Sequence, residues 1–308
     1  MKRGVFITGG LGYLGRNLAA FLLEKKHKVY LCDVVRTKEA ARLVSMGGEF
    51  MCQDSCRLST AALGKLKRCS TVIHLACATT PATSEADPVS DIRLNLAGTA
   101  ALLRDCGNAG IKKFVFASSG GTVYGAPEKL PVTEASLTEP TNMHGAMKLS
   151  SEVYIKAFSA EYGFDLAIMR VANLYGPLQK YKTLFGAAAV FTQAVLQGKP
   201  IRVWGSGGTT RDYIYIDDTV AAFEAAVRCE AVKGVFNVST GKGTSLNALI
   251  RLIENVTGRK AKIEYTRSRK LDVPASVLSS LKLRRVSGWQ PVTSLREGIR
   301  NIAGSLEE

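Results

Sequence analysis

The sequence predicts an α/β protein, a doubly wound parallel sheet followed by a smaller, mixed α/β carboxy-terminal half. Three observations carry this. Short apolar runs alternate with amphipathic helical stretches to about residue 170, and the first run ends in a Gly-x-x-Gly-x-x-Gly turn. After Pro177 the alternation gives way to helices mixed with short strands and glycine-rich turns such as Gly205-Ser206-Gly207-Gly208. Strands separated by helices pair in parallel with both faces covered, and right-handed crossovers wind the sheet in both directions. The domain boundary is therefore read as 1–176 and 177–308, with the second part packed over the open end of the sheet.

The first strand, Gly4-Val5-Phe6-Ile7, is apolar throughout, as a buried strand should be. It runs into Thr8-Gly9-Gly10-Leu11-Gly12-Tyr13-Leu14-Gly15, and Leu14, Leu18, Ala19, Phe21 and Leu22 then recur at helical spacing. Strand, glycine turn and helix in this order form the dinucleotide-binding unit of a Rossmann sheet. Gly9 allows the sharp turn, Gly12 lets a pyrophosphate approach the main chain, and Gly15 lets helix and strand pack closely. The phosphates would meet free N–H groups at the helix start, including those of Tyr13 and Leu14. The second strand, Val29-Tyr30-Leu31-Cys32, ends at Asp33, 18 residues after Gly15. A carboxylate there accepts the ribose hydroxyls of NAD and repels a 2′-phosphate. Arg36 and Lys38 lie close enough to welcome that phosphate, so NADP remains the alternative. Further strands are expected at 49–52, 70–75, 112–117 and 164–170, with helices near 38–46, 59–67, 88–109 and 145–162.

Composition agrees with a small-molecule enzyme. A chain of 308 residues with 46% apolar content buries a large core. No stretch approaches the ~20 apolar residues that span a bilayer. The amino terminus is read as a strand entering the glycine turn directly, so no leader is expected. Seven cysteines without paired Cys-x-x-Cys spacing predict neither structural zinc nor a disulfide framework, and a cytoplasmic setting. The net charge of +15 suits anionic substrates and, equally, nucleic acid or acidic lipid. The densest basic groups (Lys65-Lys67-Arg68, Arg267-Arg269-Lys270 and Lys282-Arg284-Arg285) lack interleaved aromatics, so they read as solvated faces rather than a nucleic-acid platform.

An ordered series of further segments carries a family resemblance. The segments are His74-Leu75-Ala76, Asn95 with Gly98-Thr99, Ser118 through Gly125, Lys148 with Glu152, Arg170 through Pro177, Arg211 through Asp218, Phe236-Asn237-Val238 and Gly288-Trp289-Gln290-Pro291. With the glycine turn and Asp33, they resemble the extended short-chain dehydrogenase/reductase family. Within it the chain is most similar to the nucleotide-sugar epimerases and dehydratases typified by UDP-glucose 4-epimerase. The resemblance implies that Asp54 and Ser55 hold the adenine ring, that Leu75, Ala76 and Asn95 line the cofactor, and that Lys148 bridges the nicotinamide ribose. It implies that Asn173, Arg211 and an Arg269/Asp272 pair bind the diphosphate and ribose of a UDP-sugar, while Arg170 buttresses the structure. Guanidinium forks and amide donors suit a diphosphate. It also implies a two-fold homodimer built on the helices near 88–109 and 145–162.

Two positions depart from the family pattern. Gly120 stands where a Ser or Thr ordinarily binds the sugar 4-hydroxyl, leaving Ser119 or Thr122 as stand-ins. His144, four residues before Lys148, stands where the family has its acid/base tyrosine. A phenol titrates near ~10 and needs a depressed pKa to act as a base, whereas imidazole, near ~6.5, does not. A vacancy at Gly120 would let the sugar sit deeper, within reach of the shorter ring. The expected activity is NAD-dependent 4-epimerisation of a UDP-hexose through a 4-keto sugar, with catalytic His144, Lys148 and Thr122. One-way NAD(P)H-dependent reduction of a nucleotide-linked 4-keto sugar stays open, as does a catalytically retired dinucleotide-binding protein. An RNA-binding relative would need a contiguous basic face, which dispersed lysines do not supply.

Overall fold

The computed structural model describes residues 4–177, 186–268 and 273–307. Its main sheet has seven parallel strands in the order β10-β6-β5-β4-β1-β2-β3. They are β1 (Gly4–Thr8), β2 (Val29–Asp33), β3 (Glu49–Cys52), β4 (Cys69–His74), β5 (Lys113–Ser119), β6 (Asp165–Val171) and β10 (Gly234–Val238). The strand order reverses between β1 and β4, which opens a crevice at their carboxyl ends, the place where ligands of such sheets bind. Alternation explains the two-sided core. Val5 and Ile7 join the buried cluster with α1 (Tyr13–Glu24), whereas Phe6, Tyr30 and Cys32 join the cluster beneath α6 (Ala97–Ala109) on the opposite face. Each fully buried Leu or Phe in these layers contributes roughly 1.5–3 kcal/mol.

The helices α2 (Lys38–Ser45), α3 (Thr60–Leu66) and α7 (Met143–Tyr162) match the expected positions closely. The stretch expected as one helix near 88–109 is three pieces: a short α5 (Pro88–Asp91), a π turn (Ile92–Leu96) and α6. Asp87 caps α5 through Ser90 N. The wider π turn carries Asn95, whose amide donates to Asp91 Oδ1 at 2.7 Å and to Thr79 Oγ1 at 2.8 Å. Helix α4 (Pro81–Ala86) is additional, set up by a capping box between Thr80 and Thr83 with proline in its first turn.

Beyond Pro177 the chain adds α8 (Ala187–Leu196), β8 (Pro200–Trp204), β9 (Thr210–Tyr215), α9 (Ile216–Arg228), β11 (Gly243–Ser245), α10 (Leu246–Thr257), β12 (Lys262–Thr266), β13 (Ala275–Ser276), α11 (Leu281–Ser287) and α12 (Leu295–Glu307). Strand β7 (Asn173–Tyr175) leaves the first sheet to pair with β9, which is flanked by β11 and β13. A division at 176/177 is crossed in the other direction too. Helix α9 packs on α1, and β10 completes the main sheet by pairing with β6 from Gly234↔Ala167 to Val238↔Val171. The apolar run Val235-Phe236 with Val238 explains this, because an edge position beside β6 buries Phe236 and Val238. One continuous core consequently joins both halves, running from β1 and α1 to Tyr213, Phe223 and Ile299.

Candidate active site

The glycine turn has the geometry expected of a phosphate cradle. Gly9 has φ +65°, and a Cβ there would lie 2.7 Å from Ala76 N, so only glycine lets the turn lie against the end of β4. At Gly15 a Cβ would collide with Gly9 O, whereas at Gly12 it would meet only Gly9 O at 3.2 Å. The approach to Gly12 is therefore open. Helix α1 starts at Tyr13 with no side-chain cap and no acid in its first turn, so no capping side chain or carboxylate occupies the end of the helix that would face a phosphate. Asp33 Oδ2 accepts Leu11 N at 2.9 Å and Oδ1 accepts Val35 N at 3.3 Å, which fixes the carboxylate beside the turn with lone pairs to spare. These features fit a dinucleotide.

The wall after β4 is equally ordered. His74 bridges Thr8 Oγ1 at 2.6 Å and Thr99 Oγ1 at 2.9 Å and stacks on Phe116. Burial, with Lys148 nearby, pushes its pKa down to about 3, so it is a neutral strut. Leu75 and Ala76 follow directly. Asn95 accepts Ala78 N at 2.8 Å and holds the loop from 76 to 79. Both of its amide hydrogens go to Asp91 and Thr79, so it shapes the wall through that loop. Asp54 Oδ1 accepts Cys56 N at 2.8 Å just past β3, and Ser55 is buried beside it.

At the centre, α7 brings the two key side chains to the ends of β4 and β5. Asn142 caps it through Gly145 N, and Glu85 of α4 accepts Met143 N at 2.8 Å. Gly145 allows the first turn to lie against the Ser119–Val123 turn, where a Cβ would meet Thr122 O at 2.7 Å and Pro140 Cβ at 2.9 Å. Lys148 Nζ donates to Ala117 O at 3.0 Å above the Phe116 ring. His144 is 9% exposed, and its Nδ1 is buried with no hydrogen-bond partner. Burial first, and Lys148 second, push its pKa down to about 4, against an opposing pull from Asp91. Its place in the first turn of α7 adds the positive end of the helix dipole to this. The imidazole is neutral over the physiological range.

Gly120 does not leave a vacancy. A Cβ there would run into Leu278 Cδ1 and lie 3.0 Å from Arg170 O, and Leu278 is fully buried. The expectation of a deeper sugar pose at this residue is corrected accordingly, because a side chain from the other half fills the space. The hydroxyls in this turn belong to Ser119 and Thr122. Ser119 O receives Thr122 N and Val123 N, with Thr122 Oγ1 directed at the same carbonyl at 3.4 Å.

Behind the turn, Arg170 forks onto Glu152, Nε to Oε1 at 3.0 Å and Nη2 to Oε2 at 2.6 Å, and lies over the Tyr124 ring. Arg170 thus supports the site from behind. On the substrate side, Asn173 Nδ2 donates to Asp212 O at 3.2 Å and lies close to Gly121. Arg211 Nη1 donates to Val273 O at 2.8 Å and to Thr210 O at 2.9 Å. The pairing Asn173↔Tyr213 puts Asn173 and Arg211 on one face of the second sheet, since Arg211 and Tyr213 are two residues apart. Arg269 and Asp272 lie outside the described residues. Glu85, Gly145 and Leu278 escaped the sequence reading. Only the Asn142 cap, three residues before Gly145, left a local signal.

No helix among the described residues is long and apolar enough to cross a membrane, and no cluster of three or more His, Cys, Asp or Glu there could hold a metal. Comparison with known proteins gives a consistent result. The profile of the NAD dependent epimerase/dehydratase family matches residues 5–239. The chain is 33% identical to a UDP-glucose 4-epimerase of Mycolicibacterium smegmatis over 297 residues, 95% of each chain. It superposes on a UDP-glucose 4-epimerase of Thermotoga maritima with UDP-glucose at a TM-score of 0.90, with 32% identity and 99% and 98% of the two chains covered. A Thermus thermophilus UDP-glucose 4-epimerase in complex with NAD gives 0.89, 30% identity and 98% of each chain.

Proposed function

The chain belongs to the NAD dependent epimerase/dehydratase family, and from that premise we propose that it is a UDP-hexose 4-epimerase in which His144 does the work of the usual tyrosine. The observation that carries this reading is the placement of a neutral, buried imidazole one helical turn before Lys148, in the first turn of the helix whose Gly145 lies against Thr122. A bound NAD would supply the hydride acceptor and donor for the sugar's C4. The turn from Gly9 to Gly15 holds its pyrophosphate, Asp33 its adenosine ribose, Asp54 and Ser55 its adenine, and Leu75, Ala76 and Lys148 its nicotinamide end. Asn173 and Arg211, with Arg269 and Asp272, hold the UDP.

A neutral His144 accepts the 4-hydroxyl proton and gives it back when the 4-keto sugar is reduced on its other face. The Lys148 ammonium nearby favours the unprotonated ring. Either Ser119 or Thr122 orients the 4-hydroxyl. The test is conversion of UDP-glucose to UDP-galactose, and of the 2-acetamido sugars, followed by chromatography, with parallel analysis of nucleotide released on denaturation. Turnover with tightly held NAD or NADH is expected. An empty site with one-way reduction of a 4-keto sugar points to a reductase instead. No turnover with any UDP-hexose, but turnover in His144→Tyr, marks a retired site.

A further inference from the structure

We propose that Glu152, acting through Ser118 and Arg170, is the positioning residue that sets where His144 and Lys148 stand; this rests on the reading of His144 above. His144, Lys148 and Glu152 are spaced i, i+4 and i+8, so they form one stripe of α7 facing the sheet. The stripe is fastened to β5 twice. Lys148 Nζ bonds Ala117 O, and Glu152 Oε1 accepts Ser118 Oγ from the next residue at 2.5 Å. Arg170 is the cross-strand neighbour of Ser118 on β6, so the single carboxylate of Glu152 grips two adjacent strands at one level. Glu152 is 0% exposed and Arg170 4%. The grip continues outward, because the Tyr124 ring under Arg170 donates its hydroxyl to Asn237 Oδ1 at 2.7 Å on β10.

A helix held only by apolar contacts can slide or roll by small amounts. Here either motion must break hydrogen bonds to a buried charge, and a misplacement of about 1 Å at reacting groups costs roughly a hundredfold in rate. Stability does not demand a charge pair at this place, since apolar replacements of similar volume for a buried ion pair are often neutral or stabilising. Placement of the stripe is what the pair supplies and a greasy contact does not.

The decisive comparison is the double substitution Glu152→Met/Arg170→Met, with Ser118→Ala as a milder variant that keeps the ion pair. Three quantities are read: the titration of His144 by NMR, NAD affinity, and turnover. Both variants should fold. In the double variant His144 should titrate at least one pH unit closer to an ordinary histidine, NAD should bind about tenfold more weakly through a displaced Lys148, and turnover should fall ten- to a hundredfold. Ser118→Ala should move the same quantities in the same direction by less. Folded variants with unchanged His144 titration and NAD affinity overturn the proposal, whatever the turnover. If the double variant does not fold, Ser118→Ala alone decides on the same readouts. Shifts in titration and affinity in a protein without turnover uphold the positioning role while defeating the catalytic reading of His144.

Discussion

Acid should reveal His144 in two independent ways. In the unfolded chain it titrates near 6.5, and in the folded chain near 4. As pH falls, the unfolded chain takes up this proton first, so stability is constant above about 6.5, declines towards 4, and is affected no further below that. Between pH 7 and pH 5 the loss from this one residue is about 2 kcal/mol. His144→Phe removes that contribution and should show a correspondingly shallower decline in denaturant midpoint over the same interval, while His74, held near 3, depresses both proteins alike. The base remains neutral down to its own pKa, so kcat/KM should be flat from pH 8 to about 5 and halve near 4. A phenol base, by contrast, would show a limb rising through neutrality. At pH 7, His144→Phe should lose about two to four orders of magnitude in turnover with UDP and NAD affinities nearly constant. Initial rates in brief acid pulses, with circular dichroism confirming the fold, separate the two effects. An acid limb centred at or above pH 6, or a His144→Phe protein as acid-sensitive as the parent, would refute the reasoning.

Other expectations are as direct. Asp33→Ala should narrow the preference for NAD over NADP measured by fluorescence titration, and should also weaken NAD because Leu11 N loses its acceptor; a parent protein that prefers NADP would give the pocket to Arg36 and Lys38. Arg211→Ala should weaken UDP in calorimetry by about 1.5 to 3 kcal/mol, the range for a charge-assisted hydrogen bond, and unchanged affinity would remove Arg211 from the phosphate site. Val89, Ile92, Val153 and Tyr154 are exposed on α5, the π turn and α7, which pack together, so light scattering should find a two-chain species, and Val153→Arg should reduce it to one. A monomer at micromolar concentration in the parent protein would count against the dimer.

The sequence was most legible where structure is local. Strands β1 and β2 and the glycine turn followed from apolar runs and a fixed spacing, because burial on both faces and a close phosphate approach leave few residue types that fit. The π turn was not legible, since it depends on Asn95 finding Asp91 and the loop at Thr79. Nor was the return of β10 to the first sheet, because an edge strand's partner is chosen by topology rather than by its own pattern. The identity of His144 could be read, but neither its burial nor the missing partner at Nδ1 could. Gly120 shows the limit most plainly: spacing identified a residue without a side chain, while only the fold could say that Leu278, far along the chain, had taken the space.

That contact also constrains how this site can change. Restoring a serine at 120 requires Leu278 to shrink or turn away, yet the Leu278 backbone is held by Asp212 through its N–H and by Ser239 through its carbonyl. Shrinking Leu278 first would open a buried void under the Ser119–Val123 turn, and Leu→Ala at such sites costs roughly 2–5 kcal/mol. Neither single step is favourable, although the pair together should be tolerated. Residues 120 and 278 therefore form a latch between the two halves of the chain, and a return to the family's hydroxyl would have to pass through both at once.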